Sequence, residues 1–220
     1  KDWDISLIVG IPSWLQLMME QVITHYKVSS IHDIWPNLRV VVHGGVHFEP
    51  YRKAFEKIMT KPVVYMDSYL ASEGFFGFQH RPDHLGMCLE LQKGIYYEFI
   101  PFNESNFDEE GNLKLNPTCL TINEIGIGVD YALVITTCSG AWRYLLGDTI
   151  RFIHPERSEF IITGRTKHFL SVCGEHLSVD NMNQAIYRIS QELNVSIKEF
   201  TVSAIEEGGK FKHSWYIGCE

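Results

Sequence analysis

Leu38-Arg39-Val40-Val41-Val42-His43-Gly44-Gly45-Val46-His47-Phe48-Glu49-Pro50-Tyr51 is a β-branched run that breaks on two glycines and gives way to helical spacing. Leu38 to Val42 has the apolar continuity of a strand buried on both faces, and Tyr51, Phe55 and Ile58 then recur at three- and four-residue intervals. The same arrangement precedes it. Ile5 to Val9 stops at Gly10-Ile11-Pro12-Ser13, and Leu15, Met18, Met19, Val22, Ile23 and Tyr26 mark one helix face, with Ser13 placed to cap it. Pro62 to Met66 is a third strand. Strands alternating with helices through short glycine turns predict an α/β layer with a parallel sheet, whose ligands gather at the carboxyl ends of the strands. Two loops are expected there, Val42 to Val46 and Asp67 to Gly74, so residues 1–83 read as one α/β subdomain.

From His84 the texture changes to short strands without helices: Met87 to Leu91, Ile95 to Ile100, Ala132 to Thr137, Thr149 to Ile153 and Phe160 to Thr163. Residues 84–163 therefore read as an antiparallel, barrel-like subdomain. Asn103 to Pro117, acidic and poor in apolar residues, is expected to be an exposed loop. Residues 164–220 read as a small α+β unit: a helix begins at Ser178 and carries Val179, Met182, Ile186, Ile189 and Leu193 on one face, followed by strands Phe200 to Ile205 and Phe211 to Ile217.

Composition narrows the function. With 220 residues and 45% apolar content the chain can build a real core, which excludes disordered and fibrous classes. A formal charge of -8 argues against broad attraction to nucleic acid or to anionic membranes. No apolar run approaches the roughly 20 residues that span a bilayer. The cysteines, five in number, stand at wide spacings with no C-x-x-C pair, which fits a reducing compartment and a cytoplasmic location. His43 with His47 and His80 with His84 are the paired histidines, but glycines and a proline between them oppose the helix that would bring i and i+4 together on a metal. The chain opens on Lys1 rather than Met and runs at once into a strand, so it is read as a fragment of a longer protein.

Four clusters carry chemistry. Gly44-Gly45 lets bare backbone approach a flat or anionic ligand, or simply makes a tight strand-to-helix turn. Tyr69-Leu70-Ala71-Ser72-Glu73 offers an aromatic plate, a hydroxyl and a carboxylate able to hold magnesium against phosphates, or an apolar turn with a capping serine. Trp142 to Asp148 ends on Gly147-Asp148, where a carboxylate can accept two ribose hydroxyls, or a hairpin turns. Gly164-Arg165-Thr166-Lys167 sets two cations at the junction of the last two units, for phosphate contacts or for solvent.

Taken in order, with Gly174-Glu175 following, these clusters resemble the adenylate-forming superfamily of acyl-CoA synthetases, peptide-synthetase adenylation domains and luciferases. Tyr69-Leu70-Ala71-Ser72-Glu73-Gly74-Phe75-Phe76-Gly77, Tyr96-Tyr97-Glu98-Phe99-Ile100-Pro101, and Leu133 to Thr137 leading into Arg143-Tyr144 resemble the Gretchen Hagen 3 acyl acid-amido synthetases. That family is auxin-responsive in plants and has bacterial members, which this chain resembles. The resemblance implies part of an adenylate-forming large domain followed by a small C-terminal domain. It implies a ligase that activates a small carboxylic acid with ATP and magnesium, then passes the acyl group to an amino acid. A coenzyme A ligase of the same superfamily and a non-catalytic acyl- or nucleotide-binding module are the alternatives.

By the same resemblance Glu73 would hold magnesium, Ser72 would contact phosphate or substrate, and Tyr69 would flank adenine. The backbone of Gly44, Gly45 and Val46 would border the adenine and acyl sites, and Asp148 would take the ribose hydroxyls. Arg143, Arg165 and Lys167 would lie near ribose or phosphate, with Gly164 to Lys167 as the hinge of the small domain. Leu145 stands where the family's third motif, Tyr-Arg-x-Gly-Asp, has its arginine. The superfamily's Ser/Thr/Gly-rich phosphate loop would precede Lys1, so the chain by itself is expected to lack turnover. Phe75, Phe76 and Trp14 are the aromatic candidates for a pocket wall, with a core role as the alternative.

Overall fold

The computed structural model describes residues 3–45, 48–82, 84–167, 169–170, 177–195, 197–207 and 210–219. Strand β1 (Leu7–Gly10) leads into helix α1 (Pro12–Tyr26), β2 (Val40–Gly44) into α2 (Glu49–Ile58), and β3 (Val64–Ala71) completes two strand–helix–strand units. The three strands pair in parallel, with Leu7 opposite Val40 and Val40 opposite Val64. The helices cover a core built on Met19, Ile31, Leu38, Val41 and Phe55, all fully buried.

The sheet does not stop there. β4 (Gly74–Phe78), β5 (Met87–Leu89), β6 (Ile95–Pro101), β7 (Asp130–Thr137), β8 (Tyr144–His154) and β9 (Glu159–Arg165) continue it, giving one nine-stranded sheet in the order β1-β2-β3-β4-β5-β9-β8-β7-β6. From β3 onward every pairing is antiparallel. The regions 1–83 and 84–163 thus share one sheet and differ in what covers it. One face of the antiparallel part carries Tyr69, Phe76, Phe99, Leu133, Ile150, Phe152 and Phe160. Phe76, Phe99, Phe152 and Phe160 are wholly buried, worth roughly 1.5–3 kcal/mol each in apolar transfer. The other face carries a smaller cluster of Ile100, Phe107, Ala132 and Val134. Period-two alternation along β6, β7 and β8 produces the split, since odd and even positions of each strand feed opposite cores.

After β9 come the short antiparallel pair β10 (Phe169–Leu170) and β11 (Leu177–Ser178), helix α3 (Val179–Leu193), and the hairpin β12 (Ile197–Glu207) with β13 (Lys210–Cys219). α3 packs on α2 and β9 through a side that includes buried Met182 and Ile186. No helix among the described residues is long and apolar enough to cross a membrane.

Three local expectations change. Ser13 does not cap α1: Ile11 is the N-cap, no side chain caps it, and Pro12 occupies the first turn, where its missing N–H removes one of the donors that a cap would satisfy. Asp67 to Gly74 is not a loop. β3 runs on to Ala71, which pairs with Gly74 of β4, so Ser72-Glu73 is a two-residue hairpin turn. The acidic segment after Pro101 has a buried anchor. Asn106 donates through Nδ2 to the Pro101 carbonyl and accepts from the Thr118 N–H, while Phe107 packs edge-on to Phe102 at 4.9 Å. A side-chain amide that replaces missing backbone partners ties a polar loop down without any apolar periodicity to reveal it.

Candidate active site

The carboxyl end of β2 lies against β3 at unusual closeness. Gly44 stands opposite Ser68, and a Cβ on Gly44 would lie 2.4 Å from the Ser68 carbonyl oxygen, so only glycine permits this approach. Ser68 secures it from the other side, its hydroxyl donating to the His43 carbonyl at 2.8 Å. Gly45 follows at φ +83, the left-handed region in which a side chain is strained. Val46, the third residue expected to border the site, lies outside the described residues, as do Gly174 and Glu175.

One residue along β3, Tyr69 turns into the core between Phe76 and Phe160 and is 5% exposed. Its ring therefore packs in the core rather than standing as an open plate at the surface. The hydroxyl instead donates to Asp148 Oδ2 at 2.5 Å, and Arg165 Nε donates to the other oxygen, Oδ1, at 2.7 Å. Asp148 and Arg165 are direct partners across β8 and β9, and the Thr166 N–H donates to the Gly147 carbonyl beside them. Gly147, at φ +89 inside β8 where its pairing with β7 slips, has no atom within 4 Å of a built Cβ. Burial, then the neighbouring Asp148 charge, pushes the Tyr69 phenol far above its ordinary range, so it remains a donor. The hydrogen bond from Arg165 to Asp148 raises the guanidinium in turn.

Ser72 and Glu73 form the β3–β4 turn at the rim. Ser72 is exposed and Glu73 half-buried, and the Glu73 charge is felt by both Tyr69 and Arg165. Glu73 forms no hydrogen bond or ion pair among the described residues. Lys167, exposed two residues beyond Arg165, is likewise unpaired among them. Gly44, Ser68, Tyr69, Asp148 and Arg165 therefore make a connected line from the parallel strand ends to the start of the small unit, with Glu73 beside it.

Arg143 is not on that line. It alternates with Leu145, which packs with the Ile100 and Val134 cluster, whereas Leu146 packs with Tyr69 on the opposite face. Its guanidinium forms a bidentate pair with Glu98 at 2.8 and 2.9 Å and reaches Cys119 Sγ at 3.1 Å. Register explains the correction: Glu98 pairs with Val134 and Val134 with Leu145, which commits these side chains to the far side of the sheet from Asp148. Phe76 is core, while Phe75 and Trp14 are exposed.

Sequence reasoning missed one further group. His43 and Asp67 are partners across β2 and β3, with Nδ1 3.4 Å from Asp67 Oδ1 and the imidazole stacked on Phe48 at 4.2 Å and 9°. The signal was present: runs ending at Val42 and Met66, paired in parallel, put the next residues side by side.

As to metal, no group of three or more His, Cys, Asp or Glu that would cage an ion exists among the described residues. The Glu73 carboxylate at the rim, unpaired among the described residues, is an oxygen donor of the kind a magnesium ion accepts.

Residues 88–162 match the GH3 family central domain. The chain is 28% identical over 187 residues to the indole-3-acetic acid-amido synthetase GH3.2 of Arabidopsis thaliana, covering 78% of this chain and 33% of that protein. Among solved structures, a GH3.15 acyl acid amido synthetase aligns with a TM-score of 0.67 at 19% identity, over 86% of this chain and 34% of that one. A benzoate CoA ligase from Burkholderia xenovorans LB400 aligns with a TM-score of 0.59 at 14% identity, over 100% of this chain and 41% of that one. The chain spans about a third of the length of the curated relatives it matches. At these identities the structural likenesses establish the fold, and the family likeness is confined to residues 88–162, which match the GH3 family central domain.

Proposed function

We propose that the protein containing this chain activates a carboxylic acid with ATP as an acyl-adenylate, releasing pyrophosphate, and transfers the acyl group to the amine of an amino acid. The observation that carries the reading is the Tyr69–Asp148–Arg165 cluster, joined to the strand whose Ser68 closes on Gly44, in a chain whose residues 88–162 match the GH3 family central domain. A carboxylate attacks the α-phosphate slowly because both partners are anionic, so the site must neutralise charge and align the attack.

Asp148 takes the ribose hydroxyls. Its oxygens already accept from Tyr69 and Arg165, and a carboxylate retains further lone pairs for incoming donors. Tyr69 holds that carboxylate in place instead of covering the base. Gly44, Gly45 and Val46 border the adenine and acyl sites with backbone, Ser72 meets phosphate or substrate, and Arg165 and Lys167 supply positive charge to the phosphates. Magnesium, held by Glu73, neutralises phosphate charge. The small unit, residues 164–220, turns about Gly164 to Lys167 between the two half-reactions. The named relatives' acids suggest a small organic acid with an apolar body.

The test is pyrophosphate release by the full-length protein over a panel of carboxylic acids with ATP and magnesium, with amino acids and coenzyme A offered as competing acceptors. The expected result is acid-dependent release, amide as the product, and a loss of about 10²-fold or more in Glu73→Ala. No release with any acid, or Glu73→Ala matching wild type, overturns it.

A further inference from the structure

His43 closes β2 one residue before Gly44-Gly45, the turn that the proposed function sets beside the acyl-adenylate. Its ring is almost wholly buried, and Nδ1 has no hydrogen-bond partner among the described residues. Buried polar atoms nearly always find partners, so an orphan at a strand end calls for an explanation. Asp67 provides one. Its carboxylate is half-exposed, is held in place by the Ser68 N–H at 2.9 Å, and lies 3.4 Å from that Nδ1, just beyond hydrogen-bond geometry. The parallel stack on Phe48 fixes the plane of the imidazole. Nε2 makes no hydrogen bond among the described residues.

We propose that His43, oriented by Asp67, is the base that takes the proton from the acceptor amine in the amide-forming step; the proposal rests on the function given above. An amine that attacks the acyl carbon gains positive charge on nitrogen, and the step completes only if that proton leaves. The N–C bond forms, the bond from the acyl carbon to the phosphate oxygen breaks, AMP departs with the electron pair, and the proton passes to His43 Nε2 and from there to solvent. Nδ1–H turned toward Asp67 sets the tautomer that leaves Nε2 free to accept, the arrangement in which a carboxylate orients a catalytic histidine.

Among the described residues no other group named in the site suits the task. Arg165 and Lys167 are cations, Asp148 is committed to Tyr69 and Arg165, and Glu73 is assigned to magnesium. Around His43 the charged and titratable groups among the described residues are Asp67 on β3, the Arg52–Glu49 pair on α2 and the Tyr65 phenol, which burial pushes up to about 12. β1 sets Gly10 beside it and contributes no charge. Arg52 lies 5.2 Å over the Phe48 ring and is neutralised by Glu49, which leaves Asp67 as the partner of the imidazole.

The experiment separates the two half-reactions in the full-length protein: acid-dependent ATP–pyrophosphate exchange reads adenylation, and amide formation from pre-formed acyl-adenylate reads transfer across pH. His43→Gln is expected to keep exchange within about twofold, slow amide formation by about 10²-fold or more, and abolish the acid limb of its pH profile. Asp67→Asn, at a half-exposed position that does not threaten folding, is expected to slow transfer in the same direction. Unchanged transfer and an unchanged acid limb in both variants overturn the proposal alone. So does equal loss of both half-reactions in His43→Gln with Asp67→Asn behaving as wild type, the pattern of a structural residue. Wild type without exchange for any acid overturns the adenylation reading and this proposal with it.

Discussion

The antiparallel part of the sheet bears two arginine–carboxylate pairs on opposite faces, and by pair geometry alone they are nearly the same. Arg165 holds Asp148 at 2.7 Å and Arg143 holds Glu98 at 2.8 Å; each carboxylate is 14% exposed and each guanidinium at least half-exposed. What differs is the company. Asp148 has a second holder in buried Tyr69, and the Glu73 charge acts on both Tyr69 and Arg165. Arg143, paired with Glu98, instead lines a cleft of about 450 Å³ with Ile100, Val134, Leu145 and its other partner Cys119. A salt bridge does not mark a site. A shared carboxylate and an unspent charge do.

That contrast can be broken by mutation. Asp148→Asn keeps size but halves the acceptor capacity and leaves Arg165 without its counter-charge; acid-dependent pyrophosphate release is expected to fall by about 10²-fold or more. Tyr69→Phe keeps the ring in the core and removes one holder of the carboxylate. It should cost about 1 kcal/mol in urea unfolding and weaken nucleotide binding several-fold, since Asp148 is left to Arg165. Alkaline titration sharpens the same face. Burial raises Tyr69 far above its ordinary range and Tyr97 up to about 12. The folded chain therefore keeps protons that the unfolded chain loses from about pH 10. Stability from these phenols is complete below about pH 10 and declines as pH rises through 12. Tyr69→Phe should lose the Tyr69 part and retain that of Tyr97 and of the other raised phenols, Tyr65 and Tyr51, read as urea midpoint against pH beside tyrosinate absorbance. The smallest effect is predicted for Arg143→Ala, with release within about twofold of wild type; a loss like that of Asp148→Asn would place Arg143 in the site after all.

Much of this was legible from residues alone, and where it was not there is a physical reason. Periodicity located the strands and helices because apolar spacing reports burial directly: α2 begins at Glu49 and α3 runs on from Val179 as expected. Periodicity cannot report which strand pairs with which. The continuity of β3 through Tyr69 into a hairpin depends on β4 pairing with it, so the Ser72-Glu73 turn was read as part of a loop. Arg143 was grouped with Asp148 because they are five residues apart, but strand alternation with the local register sends them to opposite faces. The Tyr69–Asp148 bond joins residues 79 apart and leaves no trace in local sequence. Asn106 evaded prediction because a buried amide in a polar segment has the composition of an exposed loop.

The account stands most directly on nucleotide binding by the face that carries Asp148. Calorimetric titration of the full-length protein with ATP and magnesium, run side by side on wild type, Asp148→Asn and Arg143→Ala, puts it to the test. The account predicts that binding is lost or weakened about 10²-fold in Asp148→Asn and kept in Arg143→Ala. Equal affinity in all three, or loss confined to Arg143→Ala, would contradict it.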